Sequence, residues 1–240
     1  MVTVNTWGLP APLAPDRKGR LPRIERRLRE AADDLVGLQE VWAGARPWIG
    51  SSLHVPDGQG DAGLALMTPH EAMDLELHRF RSATGFDALK QKGFLSARVT
   101  LPSVGVVRVV VTHLQAGRGQ RAAQVRADQV AQILEHLATV QEPVVLLGDL
   151  NLHARHPVDA RTERMLAAAG LVDAARALGA TEATYPGQGE RLDRVYLRCG
   201  RATCLHPEAA RVLSSYEPLS DHLPLRVDLH AHPRDPEHHR

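Results

Sequence analysis

Residues 143–151, PVVLLGDLN, constrain the fold of this chain more than any other stretch. The four consecutive aliphatic side chains at 144–147 lack an amphipathic period, so they suit a strand covered on both faces. Such a strand needs protein layers above and below it. Gly148, Asp149 and Asn151 then end the run abruptly. These residue types form turns readily. A carboxylate and an amide at the mouth of an apolar strand are nonetheless costly unless they are paired, hold a metal, or face substrate and water.

The same arrangement recurs along the chain. Asn5 closes a short strand at 2–5, and Gln39 with Glu40 follows the apolar run in DLVGLQEVW. Thr112 and His113 end the β-branched run at 106–111. Asp193 stands just ahead of a strand at 194–197, and Asp221 with His222 precedes a final strand at 223–229. Singly, each has an ordinary explanation as a cap, a solvated carboxylate or a hydrogen-bonded surface imidazole. Strands packed side by side bring their ends together, so the whole set implies one acidic cleft holding two imidazoles. Oxygen donors without thiolates suit a hard ion such as Mg²⁺, with Mn²⁺ as a substitute. Such an ion polarises phosphate oxygens, and imidazoles handle protons or developing negative charge.

Apolar residues at helical spacing predict helices at 21–32, 118–139 and 161–169. Further strands are expected at 63–68, 93–101 and 104–112, the last two joined as a hairpin through Pro102 and Ser103. With hairpins interrupting the strand–helix alternation, the expected fold is a layered α/β sandwich: two mixed β-sheets face to face, helices outside. No linker or repeat divides the chain, so residues 1–230 read as one domain. Residues 231–240 read as a polar, disordered tail whose histidines are minor metal candidates.

The formal charge of +1 over 240 residues says nothing about nucleic acid, because local clusters matter more than totals. Two arginine-rich runs, 16–30 and 117–129, read as solvated helix faces. Cys199 and Cys204 suggest neither a zinc site nor a disulfide framework. No leader is visible and no apolar run nears the roughly 20 residues that span a bilayer, so a cytoplasmic location is expected.

Taken in order, VNTWG, LVGLQEVW, VVVTHLQAG, VVLLGDLN, RLDRVYL and LSDHLPL resemble the endonuclease/exonuclease/phosphatase superfamily across nearly the whole chain. That resemblance implies a four-layered, DNase I-like α/β sandwich and a metal-dependent phosphoric ester hydrolase. It implies Glu40 as principal Mg²⁺ ligand with Asn5 beside it, and Asp221 near a second metal position. Asp149 would orient and deprotonate the attacking water, with Asn151 holding that water or a phosphate oxygen. His222 would stabilise the transition state or protonate the leaving oxygen, Asp193 would fix its tautomer, and His113 would touch the phosphate from the other side.

Within the superfamily, NTWGLP, LQEVW, GLALMTPH and FDALKQKGF are similar to the neutral sphingomyelinase branch. There Asp87 and Lys92 would pair near the substrate phosphate. The sequence shows no aromatic-tipped device for a lipid surface, so a soluble or dispersed phosphodiester is the expected substrate. The rival is a DNA or RNA nuclease, with Arg118, Arg121 and Arg126 lining a groove. A phosphomonoesterase or an inactive binding protein are lesser alternatives.

Overall fold

The computed structural model describes residues 1–42, 44–49, 53–54 and 61–234. Among them the chain runs β1 (Val2–Asn5), α1 (Arg17–Ala31), β2 (Val36–Gln39), β3 (Leu53–His54), β4 (Leu64–Met67), β5 (Ala72–Arg79), β6 (Gly93–Leu101) and β7 (Gly105–His113). It continues through α2 (Gln120–Leu137), β8 (Val144–Asp149), α3 (Pro157–Ala168), β9 (Val172–Asp173), α4 (Ala174–Ala177), β10 (Asp193–Arg198), β11 (Thr203–Val212) and β12 (Leu225–Pro233). The strands form two six-stranded mixed sheets, ordered β11-β12-β1-β2-β4-β3 and β5-β6-β7-β8-β10-β9.

Period-two alternation divides each central strand between two partners. In β8, Val145 and Leu147 enter the core between the sheets with Leu66, Val109, Val111 and Val195. Val144 and Leu146 pack instead with Val130 and Ile133 of α2 and Leu166 of α3. On the other sheet Val2, Val4, Val36 and Leu38 cover Leu21, Ile24 and Leu28 of α1. The layers are therefore helix, sheet, sheet, helix, the sandwich that the aliphatic run at 144–147 requires. Gly37 lets the sheets approach, because a Cβ there would lie 2.8 Å from the Leu147 side chain.

The expected hairpin forms as β6 and β7, in register from Phe94 opposite Thr112 to Leu101 opposite Gly105. Besides the two-residue β3 and β9, two long strands, β5 and β11, have no counterpart in the sequence reading. Each carries a register irregularity, between Met73 and Glu76 and between Pro207 and Ala209, that breaks the alternation. The final strand continues through Pro233, so the tail expected from 231 begins inside a strand. Residues 235–240 lie outside the described residues.

Three expectations need correction. Cys199 and Cys204 are joined in a disulfide. The chain reverses between β10 and β11, with the Gly200 N–H donating to Thr203 O at 2.9 Å, and this turn brings the two sulfurs together. Arg20 is not on a solvated face. Only 4% exposed, it donates to the carbonyls of Pro15, Thr6, Leu219 and Trp7. Arg126 lines no groove either. It is fully buried, gripping Asp159 with Nε–Oδ1 at 2.9 Å and Nη2–Oδ2 at 2.7 Å, and it also donates to Gln115 O and Gly117 O.

That buried pair ties α2 to α3. Asp159→Ala should lower stability by about 3–5 kcal/mol, because it strands the guanidinium charge. Replacing both partners, Arg126→Met with Asp159→Leu, should recover much of the loss. Urea unfolding midpoints of the three proteins test this, and equal midpoints for the single and double variants would contradict it.

Candidate active site

Strand direction gathers the polar residues. In the first sheet β1 and β2 run parallel, with Asn5 opposite Gln39, so Asn5 and Glu40 leave from the same edge. In the second, β7 and β8 run parallel and β10 antiparallel, placing His113, Asp149 and Asp193 side by side on three neighbouring strands. The face that buries Val111, Leu147 and Val195 between the sheets also carries these three side chains, two residues along in each strand. The site is the polar end of the inter-sheet core.

Asp149, 1% exposed, is the hub. Its Oδ2 accepts from Asn5 Nδ2 at 3.1 Å across the two sheets and lies 3.4 Å from His113 Nε2 and 3.7 Å from His222 Nε2. Its Oδ1 accepts from the Asn151 N–H at 3.0 Å. His222 Nδ1 lies 2.8 Å from Asp193 Oδ2. The result is a continuous Asp193–His222–Asp149–Asn5 chain drawn from four strands or strand approaches. Asn151 turns through a left-handed φ of 51° and directs Nδ2 to Leu114 O.

Charge follows from this packing. Burial opposes ionisation of Asp149, but His222, His113 and Lys92 together hold it below its ordinary value. Burial likewise opposes charge on His222, yet Asp193 and Asp149 outweigh it and raise the imidazole to about 10. His113 is pushed well below its ordinary value by burial and then by Lys92. At neutral pH the site therefore holds a carboxylate, an imidazolium and a neutral imidazole.

Glu40 sits at a left-handed φ of 60°, a conformation that costs a non-glycine residue about 1–3 kcal/mol. Gly8 packs on its backbone, where a Cβ would lie 2.0 Å from Glu40 O. Glu40 Oε2 is buried and without a hydrogen-bond partner among the described residues. Burial raises its pKa, against the opposing pull of Lys90 and Lys92. A buried, strained carboxylate with an orphaned oxygen is the observation that best fits a hard cation. Asp221, also raised by burial, is near enough to raise Glu40 further, and Asn5 ends the neighbouring parallel strand. Asp149, Asp193 and His222 also hold donor atoms within 4.8 Å of one another, but Asp193 and His222 are already bonded to each other.

Asp87 and Lys92 meet as a buried pair, Oδ2 to Nζ 2.8 Å, and Lys92 also donates to Leu114 O at 2.8 Å. This places Lys92 under His113 and Asp149, whose titration it perturbs. Arg118 stands apart from the buried cluster. Its guanidinium is mostly exposed and paired with Glu190 at 2.8 Å.

The sequence reading overlooked Ser220, Thr184 and Tyr185. Ser220 Oγ donates to Asn5 O at 2.7 Å and accepts from the His222 N–H at 3.1 Å, stitching β1 to the segment before β12. Thr184 Oγ1 accepts from the Leu192 and Asp193 N–H groups, and the Tyr185 ring lies 4.7 Å from that of His222. The serine was legible within LSDHLPL, since a hydroxyl two residues before the histidine is placed for an ST-type turn. Nothing in the pattern around Tyr185 singles it out.

Two hollows flank the cluster. One, about 320 Å³, is lined by Leu9, Pro10, Leu13, Trp42, Phe86 and Leu89, with Lys90 at its side. Leu13, Phe86 and Leu89 are more than half exposed, an apolar surface that the sequence reading did not find because its residues come from segments more than seventy positions apart. The other, about 990 Å³, lies beyond Leu152 and His153 and is lined by Arg118, Arg155, Arg164, Arg176, Arg191 and Arg194.

The Endonuclease/Exonuclease/phosphatase family profile matches residues 2–222, and the chain belongs to that family. Human Sphingomyelin phosphodiesterase 2 is 28% identical over 173 residues, 62% of this chain and 40% of its own length. The chain thus spans under half of that relative. Among solved structures, D. rerio TDP2 complexed with single-strand DNA product is similar at TM-score 0.78 and 20% identity, covering 95% of this chain and 97% of that one. A Staphylococcus aureus beta toxin mutant with bound magnesium ions is similar at TM-score 0.70 and 19% identity, covering 94% and 97%. Both share the fold described above. Among the described residues no helix is long and apolar enough to cross a membrane.

The Asp87–Lys92 pair gives a pH test. Burial opposes the Asp87 charge, but Lys92 and the Ala116 N–H hold its carboxyl below the ordinary carboxylate value. A lowered folded pKa contributes stability in full above the unfolded value, about 3.9, and loses it as pH falls through the folded one. The stability gap between wild type and Asp87→Asn should therefore be widest near neutrality and shrink below about pH 4. Urea midpoints measured from pH 7 to acid would show it, and a constant gap would speak against it.

Proposed function

We propose that this chain is a divalent-cation-dependent phosphodiesterase acting at the Asp193–His222–Asp149–Asn5 chain. The observation that carries the reading is the buried Asp149 carboxyl held between the His222 imidazole and the Asn5 amide, beside the orphaned Glu40 oxygen. Glu40, with Asn5 and Asp221 near it, would hold Mg²⁺ or Mn²⁺, which polarises a phosphate oxygen when bound. Asp149 takes a proton from the attacking water, and the Asn151 amide orients that water or a phosphate oxygen.

His222 brings positive charge to the phosphorus. Its Nδ1–H is tied to Asp193, which fixes the ring, and its Nε2–H faces the site. It stabilises the negative charge that develops on the equatorial oxygens and passes its proton to the leaving oxygen. His113, neutral, donates a hydrogen bond from the opposite side without exchanging its proton. Two Lys92 N–H groups are taken by Asp87 and Leu114, which leaves the third for a phosphate oxygen. Arg118 serves at the rim, once its exposed pair with Glu190 opens.

The apolar hollow favours a phosphodiester bearing a hydrocarbon group, the chemistry in the name of the human relative. Exposed Leu13, Phe86 and Leu89 offer the surface contact that the sequence alone did not reveal. A second reading, nucleic acid, rests on the arginine-lined hollow, which would track successive phosphates. Hydrolysis of sphingomyelin in detergent, p-nitrophenylphosphorylcholine, plasmid and oligonucleotide, each with Mg²⁺, Mn²⁺ or EDTA, separates the two. Plasmid nicking without choline-ester cleavage reverses the preference.

His222→Ala and Asp149→Asn should each lower kcat about a hundredfold or more while the circular dichroism stays native. Glu40→Gln should raise the Mg²⁺ concentration needed for half-maximal rate. Near-normal turnover by either purified catalytic variant would remove the assignment. Phe86→Ser with Leu89→Ser should raise KM for the detergent-dispersed lipid and leave bis-p-nitrophenyl phosphate unaffected. An equal effect on both substrates would exclude the apolar hollow as a substrate contact.

A further inference from the structure

The far end of the β11–β12 ribbon carries a second set of ligand-bearing side chains. Register places His206 opposite His230 and Cys204 opposite His232. Alternate residues share a face, so these four side chains make a two-by-two block. Leu205 and Ala231, between them, face the core between the sheets. The block therefore points outward, away from the hydrophobic layer.

The imidazoles already lie together. Ring centroids are 4.3 Å apart for His206 and His232, 5.6 Å for His206 and His230, and 6.1 Å for His230 and His232. The Nδ1 atoms of two rings are engaged, His230 with Glu208 at 3.2 Å and His232 with Pro233 O at 2.8 Å. Such bonds engage one ring nitrogen and leave the other, Nε2, for a ligand. His206 Nε2 is buried with no partner among the described residues. The two cysteine sulfurs and a His206 ring nitrogen fall within 4.8 Å of one another.

We propose that this face binds a borderline divalent transition ion of the zinc class through Nε2 of His206, His230 and His232, and that reduction of the Cys199–Cys204 bridge adds the Cys204 thiolate as fourth ligand. Nitrogens at about 2.0–2.1 Å round a tetrahedral ion put ring centroids about 5 Å apart, and the three observed separations bracket that value. The three rings are stacked or tilted on one another rather than aimed at one point, so the ion would bring the Nε2 atoms together by turning the rings into other rotamers. Imidazole and thiolate select a different ion from the oxygen donors around Glu40. The two sites are also well separated, since seven residue steps along β12 lead from Leu225 to His232, roughly 23 Å.

The redox step balances with a thiol reductant. Two reductant thiols become a disulfide, each cysteine sulfur gains one electron and one proton, and Cys204 gives its proton to solvent as its sulfur takes the ion. Until then the sulfurs are bonded to each other and three nitrogens form the site.

The test titrates Zn²⁺ against a chromophoric chelator in a Glu40→Gln background, which weakens the oxygen site, and repeats the titration with Co²⁺ to read the absorption spectrum. The parent should bind one Zn²⁺ at this face, and His206→Ala with His232→Ala should weaken that binding at least about tenfold. Cys199→Ser, which leaves the Cys204 thiol free without added reductant, should tighten it at least about tenfold and give a thiolate-to-cobalt charge-transfer band. Cys199→Ser with Cys204→Ser should show neither effect. His238→Ala with His239→Ala controls for the remaining tail histidines and should leave every result unchanged. Unaltered affinity in the His206/His232 variant, or affinity that follows His238 and His239, overturns the site. A Cys199→Ser protein with no charge-transfer band overturns the redox half.

Discussion

The Asp149 carboxylate lies almost fully buried between two sheets, where an unpaired charge costs several kcal/mol. Asn5 from the opposite sheet, the Asn151 backbone, and the imidazoles of His113 and His222 offset that cost. Every one of these partners depends on strand order. The parallel pairs β1–β2 and β7–β8 deliver chain ends to the same edge, and the antiparallel β10 and β12 begin there. The chemistry and the fold share this requirement: without both sheets in register, Asp149 has neither its hydrogen bonds nor its ionisation state.

Much of this was legible because one rule governs both core and site. A strand buried on two faces must show an unbroken aliphatic run, and a polar residue two positions beyond its inward-facing leucine shares that leucine's direction. Residues 144–147 followed by Asp149 display the rule directly, and 109–111 followed by His113 repeat it. The pairing of Asp193 with His222 and the meeting of Asp87 with Lys92 followed from the resemblance of the surrounding motifs rather than from periodicity.

What escaped had specific causes. Bulges in β5 and β11 interrupt alternation, so neither strand advertised itself. Arg20 and Arg126 look like surface charges in a row of arginines, and only tertiary packing supplies the carbonyls and the carboxylate that allow their burial. The disulfide depends on a tight reversal after β10 that cysteine spacing does not encode. Leu13, Phe86 and Leu89 form a surface only because Trp42 and Pro10 bring distant segments to one hollow. The sequence records each residue, whereas these features belong to the juxtaposition.

The order of the first sheet carries a consequence for biogenesis. Strand β1 sits between β2 and β12, and Asn5 is stitched through Ser220 to a segment more than two hundred residues later. A nascent chain still lacking that segment has Asp149 without its imidazolium and β1 with a bare edge. It is prone to pair with the wrong strand. The polar chain around Asp149 would then close as a single event that reports completion of the sandwich.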